Sequence, residues 1–418
     1  MQTNSNIFKY ILAGIVVVIL GGVAGWYVFI QRQIATTQAT DAARGLGTTA
    51  PSFSSGSGQS GVFGGSAGNS SGFTVSGTST IQTGNAGSAA PRLWHITTSP
   101  VAGIGFSASS TLLYFVERSN GNMLSADQSL SKITRITNTL FPKVYEAYFS
   151  DDGSVVLRWI TDAGSISTFA GHAASTSREV GAPGELEGIA LASNIASIAV
   201  KSNTSQLFWL LPGGLNGVTG ITSDWKGGSQ KKLFASGLRG WRTTWLPDGM
   251  IYLLQNPTDD LPGYAFRLST SGTLTPVLSG IPGLTVLPRT NSTALLYGSS
   301  AGGLLSLYTQ TDDTASPVRL SVRTVADKCV WAPGKALVAY CAVPQSLSSA
   351  AFLRGWYSGA LHTADAWWKI DASAGTAEIV YRPDSNLTLD VENPVIDSTG
   401  NYIAFMNGVD ESPWMLRI

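Results

Sequence analysis

The residues that could do acid–base chemistry in this sequence are few and scattered. Two carboxylates can act as an acid and a base when they lie together and their pKa values differ. Adjacent aspartates occur at Asp151-Asp152, Asp259-Asp260 and Asp312-Asp313. Adjacent aspartates are also common as solvated turn formers, and we favour that interpretation here. We therefore assign no catalytic residue from the sequence.

Metal or cofactor chemistry is not predicted either. The three histidines, His95, His172 and His362, lie far apart and lack cysteine or carboxylate neighbours at the spacing of zinc ligands. No segment alternates Asp and Asn up to a closing Glu, as a calcium loop does. Residues 64–68 match G-x-S-x-G, but that nucleophile motif requires a strand, a sharp turn and a helix. The surrounding Gly and Ser residues do not provide this context.

Aromatic and arginine side chains are better candidates, because binding hot spots are rich in them. An insertion at residues 342–365 carries Arg354, Trp356 and Tyr357. Connections expected on the same face carry the other candidates, which are Lys143, Glu146, Arg239, Trp241, Arg242 and Arg323. We interpret these residues as a binding surface. The alternative is that Trp356 and Tyr357 fill a central channel.

The only two cysteines, Cys329 and Cys341, flank a turn at residues 332–335. Their separation is even, so antiparallel pairing across the turn places them opposite each other on one face of a hairpin. In such a pair without hydrogen bonds the Cα atoms are about 4.5 Å apart, within the disulfide range. We predict a disulfide, which suits an oxidising compartment. The alternative is two buried thiols in a cytosolic protein.

Short strands in a repeated unit must position these residues. Residues 148–159 combine a strand, a turn closed by Asp and Gly, and a second strand, which is typical of a hairpin. Related turns recur about every 40–45 residues, the period of a four-stranded propeller blade. The seven turn markers are Ser107, Ser150, Ala192, Leu246, Pro288, Ala332 and Asp397. We predict an all-β fold, a seven-bladed β-propeller over residues 92–418. Eight irregular blades or two smaller β domains are the alternatives.

Further details of the ring can be predicted. Residues 207–210 and 264–268 are expected to be third strands, and residues 211–229 a Gly-rich insertion. The last repeat has three strands, and an unassigned strand at residues 93–96 precedes the first repeat. We predict that this strand completes the last blade, which would leave the ring without an unpaired edge.

The N-terminal part has a different composition. Residues 11–30 form an uncharged apolar run, and about 20 such residues span a hydrocarbon core as a helix. Trp26 and Tyr27 suit the membrane interface. A signal peptide has a shorter apolar region, so we predict an uncleaved transmembrane anchor at residues 1–31. Residues 32–91, rich in Gly, Ser and Thr, are predicted to be a disordered, flexible linker.

The aromatic-Ser-x-Asp-Gly turn at residues 149–153, and its relative at residues 245–249, resemble the TolB-type propeller repeat, a relative of the WD-repeat propellers. This resemblance covers residues 92–418 and implies a propeller fold without a particular activity. The plan of a span, a tether and a propeller also resembles membrane-anchored envelope proteins of small-genome candidate-phylum bacteria.

Charge excludes one class of function. The chain has 26 basic and 26 acidic residues, and charged residues make up only 12% of it. We expect no nucleic-acid partner, because nothing predicts a basic surface. We expect a single-pass membrane protein whose propeller lies outside the cytoplasm and binds a protein, peptide or glycan of the cell envelope. The alternatives are a glycoside hydrolase or lyase with channel carboxylates, and a structural spacer.

Overall fold

The computed structural model describes residues 91–108, 112–128, 132–174, 183–204, 206–213, 217–259, 261–347 and 351–418. The predicted anchor and nearly all of the predicted linker lie outside these residues, so both stay predictions. In the described part of the chain, no helix is long and apolar enough to cross a membrane.

Seven antiparallel sheets of four strands each are formed by the described residues, so the predicted seven-bladed β-propeller is confirmed. The first blade, from the innermost strand outward, consists of β2 (Val101–Phe106), β3 (Leu113–Glu117), β4 (Met123–Ala126) and β5 (Ile133–Arg135). The second consists of β6 (Val144–Phe149), β7 (Val155–Ile160), β8 (Ile166–Ala174) and β9 (Glu185–Ala190). The third consists of β10 (Ser197–Lys201), β11 (Gln206–Gly213), β12 (Gly217–Asp224) and β13 (Lys231–Ser236).

The remaining blades follow the same order. The fourth consists of β14 (Trp241–Trp245), β15 (Ile251–Gln255), β16 (Pro262–Leu268) and β17 (Leu274–Pro282). The fifth consists of β18 (Thr285–Pro288), β19 (Leu295–Ala301), β20 (Leu304–Gln310) and β21 (Val318–Arg319). The sixth consists of β22 (Cys329–Trp331), β23 (Val338–Pro344), β24 (Asp365–Asp371) and β25 (Thr376–Tyr381). A 3-10 turn (Ala326–Lys328) precedes β22, and a short helix, α1 (Phe352–Tyr357), lies between β23 and β24.

The seventh blade closes the ring as predicted. It combines β26 (Val391–Ile396), β27 (Tyr402–Asn407) and β28 (Ser412–Arg417) with β1 (Leu93–His95) as the outermost strand. β1 pairs antiparallel with β28, and His95 lies opposite Trp414. The two rings stack with their centroids 4.2 Å apart. The last blade is therefore completed by a strand from the N-terminal end of the domain's sequence.

The core is a set of apolar interfaces between neighbouring blades. Second strands such as β7, β15 and β27 are buried along most of their length, because blades cover both of their faces. Phe208 and Leu210 of the third blade, for example, pack against Trp245 and Leu253 of the fourth. Burying each such side chain stabilises the fold by about 1.5–3 kcal/mol. The hydrophobic effect therefore holds each blade to the next.

The third blade differs from the prediction in two details. Residues 207–210 belong to β11, the second strand, and the third strand is β12, within the segment predicted as an insertion. Its glycines have a packing role, since a Cβ on Gly220 would lie 2.4 Å from an aromatic ring. The turn marker also moves, because the hairpin turn follows Lys201 and Ala192 lies in the connection before β10.

Candidate functional site

The insertion lies on a defined face of the propeller. It joins the second and third strands of the sixth blade. Because neighbouring strands of a blade are antiparallel, such a connection lies at the end of the ring where the first strands begin. We call this end, which carries the insertion at residues 342–365, the insertion face.

A cavity of about 1020 Å³ follows the innermost strands, and all seven blades contribute to its lining. Its charged lining residues are Glu146, Asp151, Arg158, Arg239, Arg242 and Asp327. Acidic and basic groups are equal in number, so the wall of this channel carries no net charge. The channel therefore offers hydrogen-bonding groups of both kinds without strong attraction for an ion of either sign.

One ion pair of the channel belongs to the second blade. The Arg158 guanidinium donates through Nη1 to Glu146 Oε2 and through Nη2 to the Ile195 carbonyl at 2.6 Å. The Tyr148 hydroxyl donates to the same Glu146 oxygen at 3.1 Å. Burial and the neighbouring Glu146 charge raise the pKa of Tyr148, so its hydroxyl remains a donor at neutral pH. Glu146 is thus held by two donors.

The second ion pair joins two blades and the insertion. Arg242 of β14 donates to Asp327 Oδ1 and, at 3.2 Å, to the Tyr357 hydroxyl. That hydroxyl donates in turn to Asp327 Oδ2 at 2.7 Å. The Arg242 guanidinium also lies over the Tyr357 ring, 5.3 Å from its centroid. Desolvation of its hydroxyl within this network and the Asp327 carboxylate raise the pKa of Tyr357 well above its ordinary value, although the residue as a whole is 39% exposed. The Tyr357 side chain therefore connects the insertion to the channel wall through hydrogen bonds.

The apolar face of α1 seats the insertion on the propeller. Phe352, Leu353 and Trp356 are buried and pack with Leu305 of the fifth blade and Val325, which precedes β22. Trp356 therefore packs between blades. It is neither an exposed anchor nor the residue that fills the channel.

Asp259 holds the first turn of α1 from the fourth blade. It is buried, and it accepts the backbone N–H groups of Leu353 at 3.1 Å and Arg354 at 3.0 Å. These amides have no carbonyl partner within the helix, so a carboxylate at this position stabilises its start. The prediction of a solvated turn holds for Asp152 and Asp312, which accept nearby backbone N–H groups, but is wrong for Asp259.

A buried charged cluster lies beneath the insertion. Lys328 Nζ donates to Asp390 Oδ1 at 2.6 Å, Asp365 Oδ2 at 2.7 Å and Thr363 Oγ1 at 3.0 Å. Trp356 Nε1 donates to Asp390 Oδ1 at 2.9 Å, and its ring centroid lies 4.6 Å from Lys328 Nζ. The side chains of the lysine and both aspartates have no exposed surface. Strand periodicity gives no signal for this cluster, because three separate segments contribute to it.

His362 forms the outer edge of the cluster. Its Nδ1 lies 3.0 Å from Asp390 Oδ2, and 38% of its side chain is exposed. The described residues contain no group of three or more His, Cys, Asp or Glu side chains placed to bind a metal ion.

The predicted disulfide is confirmed. Cys329 and Cys341 are bonded, lie opposite each other on β22 and β23, and have their Cα atoms 4.0 Å apart. The bond fixes the strand that directly follows Asp327 and Lys328.

The structure brings together only part of the predicted binding surface. Glu146, Arg239 and Arg242 line the channel, and the Tyr357 hydroxyl accepts a hydrogen bond from Arg242. Trp241 and Trp356 are each only 6% exposed, so neither indole ring offers a surface. Arg239 is also exposed, as are the other predicted residues, Lys143, Arg323 and Arg354.

Comparison with known proteins found solved structures at low sequence identity. No protein-family model matches the sequence, and no similar curated protein was found. The Neurospora crassa Pan2 WD40 domain is 13% identical and has a TM-score of 0.49, over 76% of this chain and 89% of that one. An oligogalacturonate lyase in complex with manganese is 12% identical and has a TM-score of 0.49, over 78% and 93%. A putative TolB from Agrobacterium tumefaciens is 11% identical and has a TM-score of 0.37, over 54% and 86%. WD40 and TolB-type propellers are thus among the neighbours, and these similarities say nothing about activity. The chain is a seven-bladed β-propeller, a fold that serves as a binding or scaffold module or as an enzyme.

Proposed function

We propose that the protein is a binding module anchored in the membrane through residues 11–30, with the propeller outside the cytoplasm. It holds a protein, peptide or glycan of the cell envelope on its insertion face. The observation that supports this most is the contact of Tyr357 with Arg242 and Asp327. Because the insertion and the channel wall share this network, a ligand at the channel mouth would contact both.

The exposed groups around this network suit a polar partner. Tyr357 is 39% exposed, and Arg354 is exposed on the same helix. Tyr and Arg combine a large contact area with hydrogen-bond donors, which is why they dominate binding hot spots. Because the acidic and basic residues of the channel wall are equal in number, the channel suits a partner with both hydrogen-bond donors and acceptors better than a polyanion.

The enzymatic alternative has less support from the geometry. A glycoside hydrolase needs two carboxyl groups that face each other across the bond to be cleaved. In this channel Glu146 is paired with Arg158, and Asp327 with Arg242. Each of these two carboxylates is thus bound to an arginine, an arrangement that favours recognition over proton transfer.

The proposal is tested with a photo-crosslinking amino acid in place of Arg354, with the same amino acid in place of Met250 as the control. Met250 is 43% exposed in the turn between the first and second strands, at the opposite end of the ring. After irradiation with an envelope fraction, we expect an adduct from position 354 and none from position 250. Equal labelling at both positions would contradict a binding role of the insertion face.

A second variant tests the network itself. Tyr357→Phe removes the hydroxyl that links Arg242 to Asp327 and keeps the ring. One hydrogen bond contributes about 1 kcal/mol, so the adduct at position 354 should decrease several-fold. Tyr402→Phe is the matched control, because Tyr402 lies at the start of β27 on the opposite face. An adduct yield that is the same in both variants would show that the partner does not use the network.

A further inference from the structure

The cluster beneath the insertion places a buried amine against a buried carboxyl group. Lys328 Nζ lies 2.7 Å from Asp365 Oδ2 and 2.6 Å from Asp390 Oδ1, and none of the three side chains is exposed. An ordinary ion pair has one acid for one base. Here a single amine is hydrogen-bonded to two carboxyl groups, and solvent does not reach it. One positive charge therefore has to stabilise two acidic groups.

The two carboxyl groups differ in protonation. Burial raises the pKa of Asp365 above its ordinary value. Burial acts on Asp390 in the same sense, but the Lys328 charge and the hydrogen bonds from Lys328, Thr363 and Trp356 outweigh it and lower its pKa. Asp390 is therefore the stronger acid of the two, and Asp365 is the one that is protonated more readily. A neutral carboxyl carbon is an electrophile, whereas a carboxylate is a proton acceptor.

The two oxygens of Asp365 have different surroundings. Oδ2 accepts from Lys328 Nζ and from the Val391 backbone N–H at 2.8 Å. Oδ1 is buried and has no hydrogen-bond partner among the described residues. An unpaired buried polar atom is costly and uncommon. Oδ2 thus has the donors that a carbonyl oxygen needs, whereas no hydrogen bond from the described residues reaches Oδ1.

We propose that Lys328 and Asp365 are joined by an intramolecular amide bond that forms inside the folded propeller. Asp390 accepts a proton from the Lys328 ammonium, and the freed amine attacks Asp365 Cγ. The Nζ–Cγ bond forms and the Cγ–Oδ1 bond breaks. In the tetrahedral intermediate a second proton passes from Nζ directly to Oδ1, so the hydroxyl leaves as water and Asp390 retains the first proton. Atoms and charges balance, and the step needs no oxidant or co-reactant.

This bond would have a structural consequence for the insertion. It would link the residue before β22 to the first residue of β24 and so enclose residues 329–364 in a covalent loop. Together with the disulfide one residue further on, it would fix both ends of the segment that carries α1.

The test is peptide mass spectrometry of the purified full-length chain after denaturation, reduction, alkylation and digestion with trypsin. An amide at Lys328 prevents cleavage there. We expect one branched species that joins residues 324–335 to residues 355–369 and is lighter than their sum by one water. Complete cleavage after Lys328 with a free peptide 355–369 would overturn the proposal. A link from Lys328 to Asp390 would overturn the assignment of Asp365.

The same digest contains a matched control. Lys369 and Glu378 form an exposed ion pair with a distance of 3.0 Å, similar to that of the buried pair. Both side chains are exposed to solvent, so trypsin should cut after Lys369 without any link. A link at this pair as well would show that the modification arises during handling.

Two variants identify the chemistry. Asp365→Asn should still form the link, but with the loss of ammonia in place of water, a difference that a purely structural role would not produce. Asp390→Asn removes the proton acceptor, so a variant that is folded by circular dichroism should show no link. If folded Asp390→Asn still forms the link, Asp390 is not the proton acceptor. If this variant does not fold, the digest of the wild-type protein alone decides the proposal.

Discussion

At the scale of single residues, the bond between Cys329 and Cys341 acts on more than its own hairpin. β22 is only three residues long and has few ladder hydrogen bonds of its own. The disulfide ties it to β23 directly after Asp327 and Lys328, which contact the channel wall and the buried cluster. The bond therefore stabilises the position of two charged side chains that belong to different networks.

We expect both cysteines of the purified, denatured protein to resist alkylation until a reductant is added, and then to take up two labels. In the Cys329→Ala, Cys341→Ala double variant, the free energy of unfolding should fall by about 3 kcal/mol, since the short loop closed by the bond gains chain entropy in the unfolded state. Urea titration of the propeller measures this decrease. Labelling of unreduced, denatured wild type would contradict the bond.

Neighbouring residues of the insertion show where residue-level prediction ends. Trp356 is buried between blades, while Tyr357 reaches the channel wall. Both follow from the position of one six-residue helix, because consecutive side chains of a helix point in different directions. A segment this short has no repeated apolar pattern, so the sequence indicated aromatic residues without indicating which one would be exposed.

At the scale of elements, β1 has a role out of proportion to its three residues. It pairs with β28 through Leu93, Trp94 and His95, and Arg417 N–H donates to the Arg92 carbonyl at 2.8 Å beside it. Without β1, the outer edge of β28 would lose its ladder and the seventh blade would have three strands. The first and sixth blades, which pack against the seventh, would then be less well buried.

Deletion of residues 1–96 should therefore lower the melting temperature of the propeller clearly, by several degrees or more, because an edge opens in the last blade. Deletion of residues 1–90 is the matched control and should leave the melting temperature unchanged, since it keeps β1. Differential scanning calorimetry of the two truncated proteins provides the comparison. Equal melting temperatures would contradict closure by β1.

The elements that could be predicted are those with local signals. The turns with Asp and Gly recur about every 40–45 residues, and this spacing predicted the number of blades. β12 was missed because its glycines resemble a loop in composition. The reason for them is tertiary, since Gly220 leaves space for aromatic rings of β11 and β13. The buried cluster of Lys328 was missed for the same reason, since only the closed ring brings its members together.

At the scale of the whole molecule, the net charge of the chain and the exposed residues of the insertion face are consistent with the proposed binding role. The chain carries no net charge, and its channel wall repeats this balance locally. Exposed Arg354 and Tyr357 lie on the insertion face, away from the turns that join first and second strands. A tethered propeller could hold a partner on this face while its anchor remains in the membrane.

The last prediction concerns this placement. Residues 11–30 form an uncharged run long enough to span a bilayer, and a disulfide such as Cys329–Cys341 persists in an oxidising compartment. The apolar run would tether the propeller to a membrane, and the disulfide favours the side outside the cytoplasm. Protease added to intact cells with a permeable outer layer should cut within residues 32–91 and release a soluble fragment close to residues 92–418, detected by immunoblot. A cytoplasmic marker protein must stay intact in the same sample. Full protection of the propeller in intact cells, lost on lysis, would place it in the cytoplasm and contradict the proposed orientation.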